Sequence, residues 1–231
     1  MNIFSSFIDL IFPKTCIGCN SRLKDNEHIL CSECEQSLDF LTGVCEICGA
    51  PKENVSCEIC ESNKFLFDKA RSIFFFDNTI QNLIHNLKYN EMKGVSEFLG
   101  KYTKKYLSKF EPFDEIDFVV PIPLHRVKKR SRGFNQSEFL TKEIAEQMNL
   151  THIPNLILRK KFTETQTKLS RIKRQENVSD AFRLNPKFNI ENKDILIVDD
   201  VFTTGATINS ACKLLRNHNA NKIYVLTIAR A

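Results

Sequence analysis

Residues 194–208 read DILIVDDVFTTGATI, and this stretch predicts a strand, a tight turn and a helix in direct succession. The four consecutive aliphatic residues 195–198 are typical of a strand that is buried on both faces of a parallel sheet. We therefore expect a strand over Asp194–Val198 and a helix over Thr204–Asn217. Asp199 and Asp200 then stand at the carboxyl end of the strand, where open α/β sheets bind their ligands.

The turn between that strand and that helix has the composition of a phosphate site. It consists of Thr203, Thr204, Gly205, Ala206 and Thr207. The glycine allows a tight turn and a close approach to a ligand, and the free amides at a helix start attract anions. An ordinary strand–turn–helix with a threonine cap is the alternative. The two preceding acids, suited to ribose hydroxyls and to Mg²⁺, favour a site for a ribose phosphate.

Apolar strands alternate with amphipathic helices from residue 70 to the C-terminus. Further strands are expected at Ala70–Phe76, Ile116–Val120, Asn155–Leu158, Ala181–Leu184 and Lys222–Ala229. Further helices are expected at Asn78–Tyr89, Val95–Phe110 and Asn135–Met148. Such alternation is typical of an α/β fold, with a mostly parallel sheet flanked by helices.

Eight of the nine cysteines form Cys-x-x-Cys pairs within the first 60 residues. The pairs are Cys16/Cys19, Cys31/Cys34, Cys45/Cys48 and Cys57/Cys60. This spacing is typical of tetrahedral thiolate sites, so we expect two structural Zn²⁺ ions, each held by four cysteines. Short loops favour consecutive pairing, the first pair with the second and the third with the fourth. A crossed arrangement is the alternative.

The composition changes near Phe65, which predicts a zinc-ribbon module over residues 1–66 and a larger α/β domain over residues 67–231. The first 66 residues carry 5 Lys and Arg against 10 Asp and Glu, and the remainder carries 28 against 18. A polyanion is therefore expected at the larger domain rather than at the zinc module.

The hydropathy of the chain predicts no transmembrane segment, because no apolar run approaches the roughly 18–20 residues that span a bilayer. Met1–Phe12 is apolar but lacks the basic start and the cleavage site of a signal peptide, and we expect a short packed helix there. Paired cysteines without an export signal indicate a reducing, cytoplasmic setting.

The stretch VDDVFTTGAT at residues 198–207 resembles the phosphoribosyl pyrophosphate (PRPP) motif of type I phosphoribosyltransferases. Further motifs narrow the likeness: DFVVPIPLH at 117–125, RGFNQ at 132–136, Thr163 with Gln166, Arg174 with Asn177, and TIAR at 227–230. With the four cysteine pairs in front, the chain is similar to the ComF family of competence-associated proteins from about Phe12 to the C-terminus.

The resemblance implies further site residues. The loop after an early sheet strand is implied to bind pyrophosphate, and here it contains Pro121, Leu124, His125 and Arg126. A flexible loop over the site corresponds to Lys160–Val178, in which Arg171 and Arg174 would act in catalysis beside the two aspartates by stabilising the leaving pyrophosphate. A solvated helix face is the alternative for these cations. Lys88 is expected to face the same ligand.

The sequence thus predicts a Mg²⁺-dependent, PRPP-binding, phosphoribosyltransferase-like protein whose acceptor is unknown. The resemblance links it to DNA uptake in natural transformation and to other DNA-uptake proteins. The motif favours ligand binding more firmly than transfer. The alternative is a non-catalytic zinc adaptor that binds single-stranded DNA through the cations of residues 126–132 and the lysines of residues 101–109, although such clusters more often form a solvated face.

Overall fold

The computed structural model describes residues 13–52, 56–89, 93–124, 126–159 and 181–231. Its centre is a five-stranded parallel sheet with the strand order β1–β7–β6–β2–β3. The strands of this sheet are β1 (Lys69–Phe75), β2 (Phe118–Pro121), β3 (Thr151–His152), β6 (Ile195–Phe202) and β7 (Ile223–Arg230). A separate antiparallel pair consists of β4 (Ile157–Arg159) and β5 (Phe182–Leu184). The predicted α/β fold is confirmed.

Helices cover both faces of the sheet. The described part of the chain contains α1 (Ser32–Gln36), α2 (Glu58–Ser62), α3 (Asn78–Tyr89), α4 (Lys93–Phe110), α5 (Arg126–Arg132), α6 (Gln136–Met148) and α7 (Ala206–Arg216). The predictions for α3, α4 and α6 agree with these bounds to within two residues. None of the described helices has the length and apolarity needed to cross a membrane.

Strand β6 lies in the middle of two packed layers, as its aliphatic run predicts. Leu196 and Val198 belong to the core shared with α3, α4 and α6. Ile195 and Ile197 belong to the core shared with α7. All four side chains have no exposed surface. The alternation follows from the two-residue period of a strand, and it fixes which way the end of β6 presents its polar residues.

Strand β6 is longer than the sequence predicts. It continues to Phe202, because Asp199, Val201 and Phe202 stay paired with Thr227, Ala229 and Arg230 of β7. The two acids therefore lie within the last half of the strand rather than after it. Helix α7 correspondingly begins at Ala206 instead of Thr204.

The N-terminal segment covers the free edge of β1. The Leu41 amide donates to the Ile73 carbonyl at 2.8 Å, and the Ala70 amide donates to the Ile47 carbonyl at 2.7 Å. Phe40 and Phe74 form an antiparallel bridge next to the Leu41–Ile73 bond. The cysteine-rich segment is thus joined to the sheet by backbone hydrogen bonds as well as by side-chain packing.

Candidate functional site

The acid pair Asp199–Asp200 lies at the carboxyl end of β6 and is held by three side chains from two helices. Ser137 Oγ donates to Asp199 Oδ1 at 2.9 Å. Gln136 Nε2 donates to Asp200 Oδ2 at 2.9 Å, and Lys88 Nζ lies 2.8 Å from the same oxygen. The structure therefore brings Lys88 to Asp200, while Gln136 and Ser137 are partners that sequence reasoning missed.

The start of α6 supplies two of these partners because Asn135 fixes its position. The Asn135 side chain accepts from the Ser137 amide as the helix cap. Its Nδ2 donates to the Ile122 carbonyl at the end of β2, at 3.0 Å. Asn135, Gln136 and Ser137 are all buried. Three consecutive polar residues at a predicted helix start were the available signal for this role; two of them lie in the RGFNQ motif and Ser137 follows it directly.

Burial and like charge raise the pKa of the Asp199 carboxyl to about 7. Desolvation is the largest cause, followed by the neighbouring Asp200 carboxylate; the Asp200 amide, Ser137 and Lys88 oppose the shift. Below about pH 7 the folded protein therefore holds a proton on this carboxyl, and a bound cation would favour its release.

The turn after β6, which we call the threonine loop (Thr203–Thr207), has the geometry of an anion site. Gly205 adopts φ +73° and caps α7. Thr203, Thr204 and Thr207 are exposed. A Cβ on Gly205 would lie 2.7 Å from Phe202 Cζ, so a larger residue would be both strained and crowded. The Ala206 amide, at the first position of α7, donates to Thr204 Oγ1 at 3.4 Å, and the start of a helix is a place where an anion is stabilised.

The predicted pyrophosphate loop is only partly a loop. Pro121 ends β2, and Leu124 follows it at the same edge of the sheet as the acid pair. Arg126 begins helix α5 instead of closing the loop, which corrects the predicted boundary. The sequence of α5 is rich in basic residues and contains no glycine or proline, so it is compatible with a helix. His125, Arg171 and Arg174 fall outside the described residues, as does the predicted lid.

Arg159, at the end of β4, is a further cation near this loop that sequence reasoning missed. It donates from Nη1 to the Pro123 carbonyl at 3.4 Å, and its guanidinium lies 5.4 Å from the Phe182 ring centroid. Its buried Nε has no hydrogen-bond partner among the described atoms. Burial lowers its pKa. An anion bound at the Pro121–Leu124 loop would partner this guanidinium.

The eight paired cysteines form two groups, and in each the four Sγ atoms lie within 4.8 Å of one another. The first cluster is Cys16, Cys19, Cys31 and Cys34. The second cluster is Cys45, Cys48, Cys57 and Cys60. The predicted consecutive pairing is confirmed. None of the eight forms a disulfide.

The sulfur spacing in both clusters fits a tetrahedral metal. Sγ atoms are 3.7 Å apart for Cys19 and Cys31, and 3.6 Å apart for Cys48 and Cys57. Four sulfurs at a Zn–S distance of about 2.3 Å lie about 3.8 Å from one another. Both sites are therefore compatible with structural zinc, whose contribution would be to the folding of this segment.

The second cluster is flanked by two buried arginines from the sheet. Arg230 Nη1 donates to the Cys48 carbonyl at 2.8 Å. Arg71 Nη1 donates to the Cys45 and Glu46 carbonyls at 3.2 and 3.0 Å. Only 6% and 7% of these two residues is exposed, and they are the only arginines buried in the described part of the chain. A zinc ion with four thiolates would carry two net negative charges beside these guanidiniums, of which Arg71 is also paired with the Glu46 carboxylate at 2.8 Å.

Comparisons with known proteins agree with this division of the chain. Residues 109–231 match the family described as "Phosphoribosyl transferase domain", and residues 7–63 match "Double zinc ribbon domain". An adenine phosphoribosyltransferase structure is 17% identical, with a TM-score of 0.43 over 73% of this chain and 83% of that chain. This last similarity is too low to add to the fold described above.

Three relatives align with most of the chain. Competence protein F of Haemophilus influenzae is 27% identical over 95% of this chain and 98% of its own length. DNA utilization protein YhgH of Escherichia coli is 25% identical over 96% of this chain and 99% of its own length. Competence protein ComFC of Bacillus subtilis is 27% identical over 90% of this chain and 87% of its own length. The chain therefore belongs to the phosphoribosyl transferase domain family, in the form with an N-terminal double zinc ribbon that it shares with the ComF proteins.

Proposed function

We propose that this chain binds PRPP together with Mg²⁺ at the carboxyl ends of β2 and β6. The observation that carries the proposal is the left-handed Gly205, which caps α7 three residues after a strand that contains two acids in its last half. This arrangement places helix-start amides, suited to a phosphate, a few residues after carboxylates that suit a ribose. An ordinary helix cap would need neither the acid pair nor three exposed threonines.

Each part of the ligand has residues of matching chemistry. The 5-phosphate is assigned to the threonine loop, and the ribose hydroxyls to Asp199 and Asp200. Mg²⁺ prefers carboxylate and water oxygens, and it would neutralise the pyrophosphate in any transfer. Lys88 and Arg159 add positive charge beside the acid pair and beside the Pro121–Leu124 loop. The predicted lid cations, Arg171 and Arg174, are proposed to complete this set.

Transfer of the ribose 5-phosphate to an acceptor is the reaction that such a site supports, and the acceptor is left open. We propose a cytoplasmic role in DNA uptake, because relatives along the whole chain are named as competence and DNA utilization proteins. Ligand binding is the firmer part of the proposal, since it depends on the loop and acids alone.

Calorimetry with PRPP and MgCl₂ tests the binding. Wild type is expected to bind, and Asp199→Asn with Asp200→Asn is expected to weaken the affinity at least tenfold, since each lost charged hydrogen bond costs about 1.5–3 kcal/mol. The matched control is Asp194→Asn. Asp194 precedes the same strand and bonds to Asn221 and Lys222 at the opposite end of the sheet. No binding by wild type, or equal binding by all variants, would refute the proposal.

The alternative function is single-stranded DNA binding without turnover. The observation that favours it is helix α5, a seven-residue helix with three basic residues in its last turn and no acid in its first. Lys129 and Arg130 on this helix are exposed. These side chains form a basic surface beside the proposed pocket.

A salt titration of oligonucleotide affinity tests this alternative. For the triple variant Lys128→Ala, Lys129→Ala, Arg130→Ala we expect the slope of log K against log salt to become shallower by about 2, at roughly 0.7 per lost phosphate contact. Lys142→Ala on the exposed face of α6 serves as the control. An unchanged slope in the triple variant would exclude α5 as a DNA surface.

A further inference from the structure

The second cluster and the threonine loop are joined by one side chain of α7. Asn209 Oδ1 accepts from the Leu66 amide at 2.7 Å, and Asn209 Nδ2 donates to the Lys64 carbonyl at 3.1 Å. The Asn209 amide itself donates to the Gly205 carbonyl at 2.7 Å. One asparagine therefore binds both the threonine loop and the segment that follows the last cysteine of the second cluster.

Aromatic rings form a second connection between the same two regions. Phe65 stacks on Phe67 with centroids 4.8 Å apart and meets Phe202 edge-on at 6.0 Å. Both Phe65 and Phe202 lie against Gly205, since a Cβ there would be 3.2 Å from the first ring and 2.7 Å from the second. The conformation of the loop thus depends on where these rings lie.

A buried charge forms the third connection. The Arg230 guanidinium lies 4.4 Å from the Phe202 ring centroid, while its Nη1 donates to the Cys48 carbonyl. A metal ion held by four thiolates would leave the second cluster with two net negative charges, which would stabilise the guanidinium that packs on Phe202 next to Gly205.

The first cluster has contacts of a different kind. Asn82 Nδ2, on α3, donates to the Gly18 carbonyl at 3.3 Å, and Tyr102, on α4, donates to Glu35 at 3.1 Å. Its buried residues Cys16 and Cys31 belong to the core shared with α3 and α4. These contacts connect the first cluster to helices on the opposite face of the sheet from α7.

We propose that Asn209 and Arg230 are positioning residues that make the conformation of the threonine loop depend on the metal-filled second cluster, and not on the first. When its metal is bound, the second cluster then serves as the rigid base of the phosphate site. The inference rests on the proposed function for its ligand, but its structural part is independent of that ligand.

Hydrogen exchange of the full chain, read at the backbone amides of residues 203–210, tests the structural part without a ligand. Asn209→Ala and Cys57→Ser are expected to speed exchange there about tenfold, because both release the base of the loop. The matched controls are Asn82→Ala and Cys34→Ser. Asn82→Ala removes the equivalent hydrogen bond, from a side-chain amide to the first cluster. Both are expected to stay within about twofold of wild type at these amides.

A conservative variant separates positioning from general destabilisation. Asn209→Asp keeps the acceptor for the Leu66 amide and loses the donor to Lys64, so its exchange rate should fall between wild type and Asn209→Ala. Zinc content, measured on each purified variant, should be two per chain in both Asn209 variants and one in each cysteine variant. If Cys57→Ser does not fold, the two variants Asn209→Ala and Asn209→Asp, which are expected to keep both metals, still test the inference.

Calorimetry with PRPP and MgCl₂ on the same variants completes the test. We expect about tenfold weaker binding for Asn209→Ala and near wild-type binding for Asn82→Ala, a difference of about 1.4 kcal/mol. Unchanged exchange in Asn209→Ala, or equal acceleration in Asn82→Ala, would overturn the inference. Faster exchange in Asn209→Ala with no PRPP binding by wild type would support the coupling while refuting the proposed ligand.

Discussion

The second cysteine cluster and the acid pair each bring several acidic side chains together against the same sheet. The charges of the two groups are balanced in different ways. The four sulfurs of the cluster lie within 4.8 Å of one another, and as thiolates on a metal they would face Arg71 and Arg230, which are buried beside them. The acid pair has one lysine, whose side chain is 23% exposed, and an Asp199 whose pKa is raised to about 7. Fixed charges in the first case indicate a permanent structural site. A proton and a partly exposed lysine in the second indicate a site that exchanges partners.

The largest expected effect comes from removing one fixed charge of the cluster. Arg230→Met should lower the free energy of unfolding by about 3–5 kcal/mol, the usual cost of leaving a buried charge without its partner. Lys88→Met at the acid pair is the counterpart and should cost only about 1–2 kcal/mol, because its side chain is partly solvated and Gln136 still donates to Asp200. Urea denaturation measures both. Equal losses would break the contrast between the two sites.

The raised pKa of Asp199 predicts a pH dependence. Between pH 5 and pH 8 the unfolded chain has this carboxyl ionised while the folded chain still holds its proton at the lower pH. The folded state therefore binds more protons, and the contribution of Asp199 to stability falls as pH rises towards and through about 7. Relative to Asp199→Asn, wild type should lose roughly 2–3 kcal/mol over this interval.

Comparing the two proteins at each pH removes the pH dependence of the cysteine clusters from the result, since it is common to both. Unfolding is followed without Mg²⁺. A constant difference between wild type and Asp199→Asn from pH 5 to pH 8 would show that Asp199 is already ionised in the folded protein, and that the acid pair resembles a permanent site after all.

Two left-handed glycines allow a matched comparison. At Gly49 (φ +68°) a Cβ would lie 2.5 Å from the Ala70 carbonyl oxygen, and at Gly205 it would meet the tip of the Phe202 ring at 2.7 Å. Backbone atoms of a sheet move less than a ring, so Gly49→Ala should cost about 2 kcal/mol and Gly205→Ala about 1 kcal/mol.

For PRPP affinity we expect the reverse order, with the larger effect at Gly205. Despite its smaller effect on stability, Gly205→Ala should weaken PRPP affinity at least tenfold in calorimetry, because the methyl group displaces the loop from the ligand. A Gly205→Ala protein that binds PRPP as wild type does would show that the loop tolerates a side chain there.

The smallest expected effects concern single hydrogen bonds. Ser137→Ala removes a donor from Asp199 and should cost about 1 kcal/mol in unfolding free energy. Tyr102→Phe removes an exposed bond to Glu35, next to the first cluster, and should cost less than about 0.5 kcal/mol. Thermal denaturation resolves the two if they are measured in one buffer. A larger loss for Tyr102→Phe would place more of the stability of the fold at the first cluster than its contacts indicate.

The parts of the fold that could be predicted are those in which local sequence determines the structure. Four aliphatic residues in a row specify the buried strand β6, and the Cys-x-x-Cys spacing specifies knuckles whose sulfurs face one metal. Helices α3, α4 and α6 follow from their apolar periodicity. The threonine loop is predictable for the same reason, because a glycine after a strand and before a helix limits the turns that the backbone can make.

The remainder depends on contacts between distant segments. That Lys88 reaches Asp200, and that Gln136 and Ser137 hold the acid pair, is a result of how α3 and α6 pack on the sheet, and no local pattern contains it. The continuation of β6 to Phe202 is set by its pairing with β7. Arg230, at the other end of the sequence from Cys48, is paired with it only by the sheet order.

The hydrogen bonds from Leu41 and Ala70 along β1 have a consequence for the chain before its metals are bound. An uncovered edge strand is a template for pairing with another molecule, and the segment that covers β1 is the one whose folding is coupled to zinc. During zinc shortage the five-stranded sheet would thus have an open border. The cysteine clusters would then protect newly made copies of the protein from joining one another through their sheets.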